Sequence, residues 1–214
     1  MSPKIKHIIW DWNGTLVNDA WLFVELMNKE LDQRNLPRIN IQKYRTHFTF
    51  PVKKYYQNLG FNFKKEDFKE VGYNFIQKYK QRKNEPDLYG NSLKILKKIS
   101  TLHITQSIIS AQENGLLQES IEYYKIKKYF KHVQGIDHYY ADSKIQIAQN
   151  SLRNLEYNNN EIMLVGDTKH DAEVAESLGV RCVLFSNGHY AKKRLEKLNH
   201  TVIDNHLDLI PYLQ

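Results

Sequence analysis

This chain of 214 residues holds a single cysteine, Cys182, so no disulfide can close within it. That fits a reducing, cytoplasmic setting. Inside the run VRCVLF the thiol reads as a small core residue. No apolar stretch approaches the ~20 residues of a membrane span. The N-terminus also lacks the long apolar segment of a secretory signal. With nine glycines, five prolines and no internal repeat, nothing reads as low complexity or fibrous. The histidines, His132 with His138 included, show no zinc-site spacing. Acids are the scarcer charge, 24 against 31 Lys and Arg, for a net +7.

The basic excess is local. Residues 42–84 carry eleven lysines and arginines and three acids, a charge of +8 that leaves the rest nearly neutral. Such a segment concentrates anionic ligands, small phosphates or nucleic acid, unless it is simply a solvated helix face. Aromatics interleave there (Tyr44, Phe48, Tyr55, Tyr56, Phe61, Phe63, Phe68), either as base-stacking platforms or, the commoner use, as a local core.

Short apolar runs at 5–10, 104–109, 162–165 and 182–185, with a weaker one at 132–136, predict buried strands of a parallel sheet. Helical faces fall between them: Leu93, Leu96 and Ile99; Ile145, Ala148, Leu152 and Leu155; and 171–178, stopped by Gly179. Alternating strand and helix predicts a Rossmann-like, doubly wound α/β fold. Residues 18–88 break the rhythm. They show no strand, suit helices at about 19–34, 51–59 and 65–83, and are punctuated by Pro37, Pro51 and Pro86. The expected division is an α/β core at 1–17 and 89–214, with an inserted helical cap at 18–88 sitting over the carboxyl ends of the strands.

Chemistry collects at those ends. Asp11 follows the first strand, and Gly14 allows a turn whose backbone N–H groups can face an anion. Ser110 follows the second. Ser143 and Gln146 have capping-box spacing, placing the cation Lys144 in a first helical turn, where it opposes the helix dipole unless an anion shares the site. Gly166-Asp167-Thr168-x-x-Asp171 follows the fourth run, again with capping-box spacing from Thr168 to Asp171. Taken singly, Ser110 reads as a turn residue and Asp171 as a helix-start acid. Asp11 and Asp167 differ, because each ends an apolar strand where an uncompensated carboxylate is costly. Converging, they form a hard-oxygen site suited to Mg²⁺.

DxxGTL at 11–16, Ser110, Lys144 and GDTxxD at 166–171, in that order, resemble the haloacid dehalogenase superfamily in its phosphoglycolate-phosphatase-like branch. Lys144 is followed by Ile where relatives commonly have Pro. The resemblance implies a phosphatase acting on a small anionic phosphorylated metabolite, phosphoglycolate being the family-level guess. It also implies attack by Asp11 through an aspartyl-phosphate, and Mg²⁺ held by Asp11, the Asn13 carbonyl and Asp167, with Asp171 in support. Ser110, Lys144 and backbone N–H groups of Trp12, Asn13 and Gly14 would hold the phosphoryl oxygens.

Asn13 departs from the pattern. Relatives usually have Asp there as general acid and base, a contribution of ~10²–10⁴-fold. The favoured reading is a phosphatase working with Asn13, on a good leaving group or with help from the cap, His47 and the cap tyrosines being candidates. The alternatives are a non-catalytic phospholigand-binding protein, which retention of the other site residues argues against, and a phosphonatase- or dehalogenase-like reaction. Asn13-Gly14 is also a deamidation-prone pair, unless the turn protects it.

Overall fold

The computed structural model describes residues 4–136, 144–153 and 155–214. The five expected strands form: β1 (His7–Trp10), β2 (Thr105–Glu113), β3 (His132–Ile136), β4 (Ile162–Gly166) and β5 (Arg181–Phe185). A sixth, β6 (Thr201–Ile203), offers three residues and no apolar run to announce it. All pair in parallel in the order β3-β2-β1-β4-β5-β6. Period-two alternation feeds two cores, one on each side of the sheet: Ile9, Leu164 and Leu184 enter one, and Ile8, Trp10, Val165 and Phe185 the other.

From central β1 the chain moves outward through β2 and β3, then returns to β4 on the other side. The order therefore reverses between β1 and β4, and a crevice opens at their carboxyl ends. The residues that step into it are Asp11 and Asp167.

Between β1 and β2 run α1 (Ala20–Asp32), α2 (Ile41–His47), α3 (Val52–Asn58) and α4 (Phe68–Arg82), with no strand of the sheet among the described residues. The sequence announces α1, α3 and α4. It misses α2, a short helix that buries only Tyr44 and starts where the Asn40 side chain accepts from the Lys43 N–H at 2.8 Å. Entry and exit run antiparallel, Asn18 N to Asp87 O at 2.9 Å and Tyr89 N to Leu16 O at 3.0 Å. Tyr44, Phe48, Tyr55, Tyr56 and Phe61 are buried against one another and against Phe75 and Tyr79, so these rings form the insert's core. Buried Glu30 joins Arg34 and Lys78, and Arg34 reaches on to Glu66 at 2.7 Å.

After the insert come α5 (Ser92–Thr101), α6 (Asn114–Tyr123), α7 (Lys144–Arg153), α8 (Lys169–Leu178) and α9 (Lys192–Leu195). On α5 the buried stripe is Ile95, Leu96 and Ile99, while Leu93 is exposed, which corrects the expected face. Leu93 and Ile95 each fit a helical stripe with Leu96 and Ile99, and packing buries Ile95, with Ser92 on the same face donating its hydroxyl to Leu16 O at 2.9 Å. Helix α7 begins at Lys144. Ser143 of the expected capping pair and His138 lie outside the described residues. Helix α8 has its Thr168–Asp171 capping box and ends at Gly179 with φ of 65°.

Candidate functional site

Hydrogen bonding from Asp11 N to Val165 O at 2.8 Å sets the nucleophile candidate beside the end of β4. Asp11, Asp167 and Asp171 bring carboxylate oxygens within 4.8 Å of one another, all buried. Lys144 Nζ bridges Asp11 Oδ1 and Asp171 Oδ1, the latter at 2.5 Å. Thr15 Oγ1 lies 3.2 Å from both Asp11 Oδ2 and Asp167 Oδ1. Asp171 Oδ2 accepts from Thr168 Oγ1 at 2.7 Å, Thr168 N at 3.0 Å and Asp167 N at 3.2 Å. These bonds lock the first turn of α8 under the site. Buried Ser110 stands in β2 itself, beyond its last pairing with β1 at Ile108, and its hydroxyl accepts from Gln112 N at 3.1 Å.

Charge is unbalanced. Three buried carboxylates, Asp11, Asp167 and Asp171, gather at the buried ammonium of Lys144, while buried Asp19 faces Asn13, Gly14 and Tyr79. Burial raises the Asp11 pKa from 3.8 to about 6, against Lys144, which lowers it. Burial likewise pushes Asp167 well above the usual carboxylate range, despite the opposing His189. On Asp171 burial also raises, but the charge and hydrogen bond of Lys144 and the Thr168 hydroxyl prevail, and its pKa is lowered. Lys144 is raised: burial disfavours its charge, and Asp11 and Asp171 more than offset that. Burial thus disfavours ionisation of both Asp11 and Asp167, and a hard divalent cation, which takes such oxygen donors, would offset that cost.

The reading from sequence overlooked a second network on the insert side. Asp19, fully buried just before α1, accepts from Asn13 Nδ2 at 2.6 Å, Gly14 N at 3.0 Å and Tyr79 OH at 2.9 Å. Asn13 Nδ2 also donates to Tyr79 OH at 2.9 Å. His189 Nε2 lies 3.3 Å from Asp19 Oδ1, an ion-pair distance without hydrogen-bond alignment. Its Nδ1 is 2.7 Å from Tyr44 OH, and its backbone N donates to Asp167 Oδ2 at 2.5 Å. Burial lowers the His189 pKa, but Asp19, Asp167 and Asp11 together raise it. Gly14 has φ of 75°, and a Cβ there would sit 2.4 Å from Asp167 Oδ2 and 2.3 Å from the His189 ring.

Several expected roles shift. The Gly14 N–H is committed to Asp19 and to Val17 O, so it is not presented outward. The Trp12 side chain is buried against Tyr124, leaving its backbone N–H to bond Asp11. His47 is exposed and bonded to Lys43 O at 2.8 Å, whereas His170 and His189 line the crevice. An acid before a helix, as Asp19 is, reads as a capping residue, and His189 has no motif around it. Neither signals the network it forms.

A parallel sheet with acids gathered at its switch point defines an α/β protein with an anionic crevice. The chain belongs to the haloacid dehalogenase-like hydrolase family, whose profile matches residues 8–185. Its fold is similar to that of a haloacid dehalogenase-like hydrolase from Streptococcus pneumoniae, with TM-score 0.84, 18% identity, and 98% and 99% of the two chains covered. It is similar also to a predicted phosphoglycolate phosphatase from Haemophilus somnus, with TM-score 0.76, 18% identity and 100% of both chains covered. A haloacid dehalogenase-like protein of unknown function from Agrobacterium tumefaciens gives TM-score 0.82 and 19% identity over 98% and 97%. No curated protein sequence matches.

Two expectations follow from the Asp19 network. Asp19→Ala strands the Asn13 amide and the Tyr79 hydroxyl in a buried site and is expected to destabilise the fold by about 3–5 kcal/mol in urea unfolding. A loss under about 1 kcal/mol would show that the network contributes little. Asn13 is expected to resist deamidation in the native protein, because its amide and the Gly14 N–H are both engaged. Peptide mass spectra after prolonged mildly alkaline incubation should show Asn13 unshifted in folded protein and converted in urea.

Proposed function

We propose that this hydrolase is a Mg²⁺-dependent phosphatase of small phosphorylated substrates, built as an α/β core at 1–17 and 89–214 with a cap at 18–88. The observation that carries the reading is the bridge of Lys144 between Asp11 and Asp171 beside Asp167. It gives a nucleophile, a cation for the phosphoryl group and a carboxylate cradle in one crevice. The similarity to the Haemophilus somnus protein points to the same chemistry.

In this mechanism Asp11 attacks phosphorus to give an aspartyl-phosphate, which water then hydrolyses. Lys144 and the Ser110 hydroxyl neutralise and orient the phosphoryl oxygens, where charge spreads in a loose transition state. Asp11, Asp167 and the Asn13 carbonyl would hold Mg²⁺, which when bound supplies further charge neutralisation. Asp171, with its second oxygen saturated by Thr168 and Asp167 N, keeps Lys144 and the Asp167 backbone in place.

Asn13 cannot deliver or take a proton. Both of its amide hydrogens have acceptors, Asp19 and Tyr79 OH, so its side chain serves as a neutral donor to a buried carboxylate. The leaving group accordingly departs without the family's usual acid, which favours esters of acidic alcohols or phenols.

With Mg²⁺, wild type is expected to hydrolyse activated aryl phosphates, and Asp11→Asn to be inactive. Asn13→Asp places a second carboxyl against Asp19, and a pair so close retains a proton toward neutral pH. Its kcat is expected to rise by about 10²-fold on alkyl phosphates and much less on 4-nitrophenyl phosphate. Equal gains on both would remove general acid catalysis from the explanation. The second expectation concerns pH. The folded Asp11 pKa of about 6 exceeds its free value of 3.8, so its contribution to stability is full below 3.8 and lost as pH rises through about 6. Mg²⁺ needs the deprotonated form, so the rise in Tm on adding Mg²⁺ should be small near pH ~5 and larger near pH ~8. A rise independent of pH would place the cation elsewhere.

A further inference from the structure

A cavity of about 510 Å³ extends from Asp11, Ser110 and Lys144 up into the helical insert. That is within the range of roughly 300–1,000 Å³ that holds drug-sized ligands. A phosphoryl group occupies only its floor. Phe23, Phe48, Phe50, Phe68, Phe75 and Ile76 line the remainder, together with Met27 and Val52. Gly72 belongs to the same wall, in the middle of α4, and a Cβ built there meets no atom within 4 Å. Mid-helix glycine costs ~1 kcal/mol relative to alanine, and here it leaves room beside the cavity.

Two polar side chains in this wall, both more than nine-tenths buried, have no hydrogen-bond partner among the described residues. They are the Tyr55 hydroxyl and the Gln112 amide, at both its nitrogen and its oxygen. Buried groups of this kind are normally satisfied. Lys144, the buried ammonium of the wall, is committed to Asp11 and Asp171, while Lys53 and Lys69 are exposed. A second carboxylate on a substrate would lie against aromatic rings, since Lys144 is committed and the buried His189 ring already faces Asp19 at 3.3 Å.

Resting on the phosphatase reading, we infer that the substrate is the phosphate monoester of a bulky, mainly apolar organic group, aromatic or alkyl, bearing a polar substituent that bonds Tyr55 and Gln112. A short phosphorylated carboxylate such as phosphoglycolate leaves the aromatic chamber unfilled and those two groups unmet.

The test is kcat/KM of the Mg²⁺-loaded enzyme on phenyl, 4-ethylphenyl and 4-butylphenyl phosphates, whose leaving phenols have nearly the same acidity. Each methylene moved from water into the chamber is expected to raise kcat/KM about fourfold, about 15-fold from ethyl to butyl. The 4-carboxymethylphenyl ester should fall at least about tenfold below the 4-ethylphenyl ester. Gly72→Phe, whose Cβ meets no neighbouring atom within 4 Å, should cut the butyl-to-phenyl ratio at least about tenfold. A flat series on a wild type that turns over phenyl phosphate overturns the inference and leaves the phosphatase standing, as does preference for the carboxylate. No turnover of any ester, with Asp11→Asn indistinguishable from wild type, overturns both.

Discussion

One ammonium group decides whether this crevice can exist. Asp11, Asp167 and Asp171 converge because β1 and β4 are neighbours with matched ends, and burial makes each ionised carboxylate expensive. Lys144 arrives from the other side of the switch point, on α7, and bonds two of the three. Its own burial would favour the neutral amine, yet the two acids hold it charged. The order of groups follows from this. Asp171 is saturated and fixed, Asp11 bonds both Lys144 and the Thr15 hydroxyl, and Asp167 keeps an oxygen that, among the described residues, bonds the Thr15 hydroxyl alone, at 3.2 Å. Burial disfavours ionisation of the pair facing the crevice, and a divalent cation between them would offset that cost.

The sheet was legible because parallel strands buried on both faces are written as apolar runs, and the site because strands that end in Asp are chemically conspicuous. The helices of the insert showed through their periodicity, except α2, whose one buried residue carries no period. The α5 face was misassigned because Leu93 and Ile95 both fit a stripe with Leu96 and Ile99, and only packing chooses between them. Least legible was the network around Asp19. Its members come from the turn after β1, the start of α1, the middle of α4 and the loop after β5, so no local spacing links them. Aromatic residues at 44–68 suggested either stacking platforms or a core. Only burial distinguishes these, and the rings are largely buried.

The insert and the carboxylates are mechanically one assembly. Arg45, at the end of α2, donates to Gly188 O at 2.8 Å and Asn187 O at 2.5 Å, and Arg194 donates to Arg45 O and Phe48 O. The loop so clasped carries His189, whose N–H holds Asp167 and whose ring meets Tyr44. Gly188 lets that loop approach, since a Cβ there would lie 2.1 Å from Asp167 Oδ2. Shifting the helices over the crevice therefore pulls on Asp167 beneath it.

Asn13 is intelligible within that assembly. An aspartate there would face Asp19 at the 2.6 Å now spanned by an N–H···O bond, and the two could coexist only by retaining a proton. Asparagine removes the conflict: it satisfies Asp19, which in turn fixes Gly14 and Tyr79 and faces the His189 ring. The proton-transfer group is thus exchanged for a neutral strut between the β1 turn and the insert. The exchange is least damaging where the leaving group is acidic and where binding energy is gathered away from phosphorus. In the inferred complex the aromatic chamber offers the second of these, because apolar contact with the organic group can hold the ester in line with Asp11. A neutral Asn13 and an apolar wall then serve one arrangement.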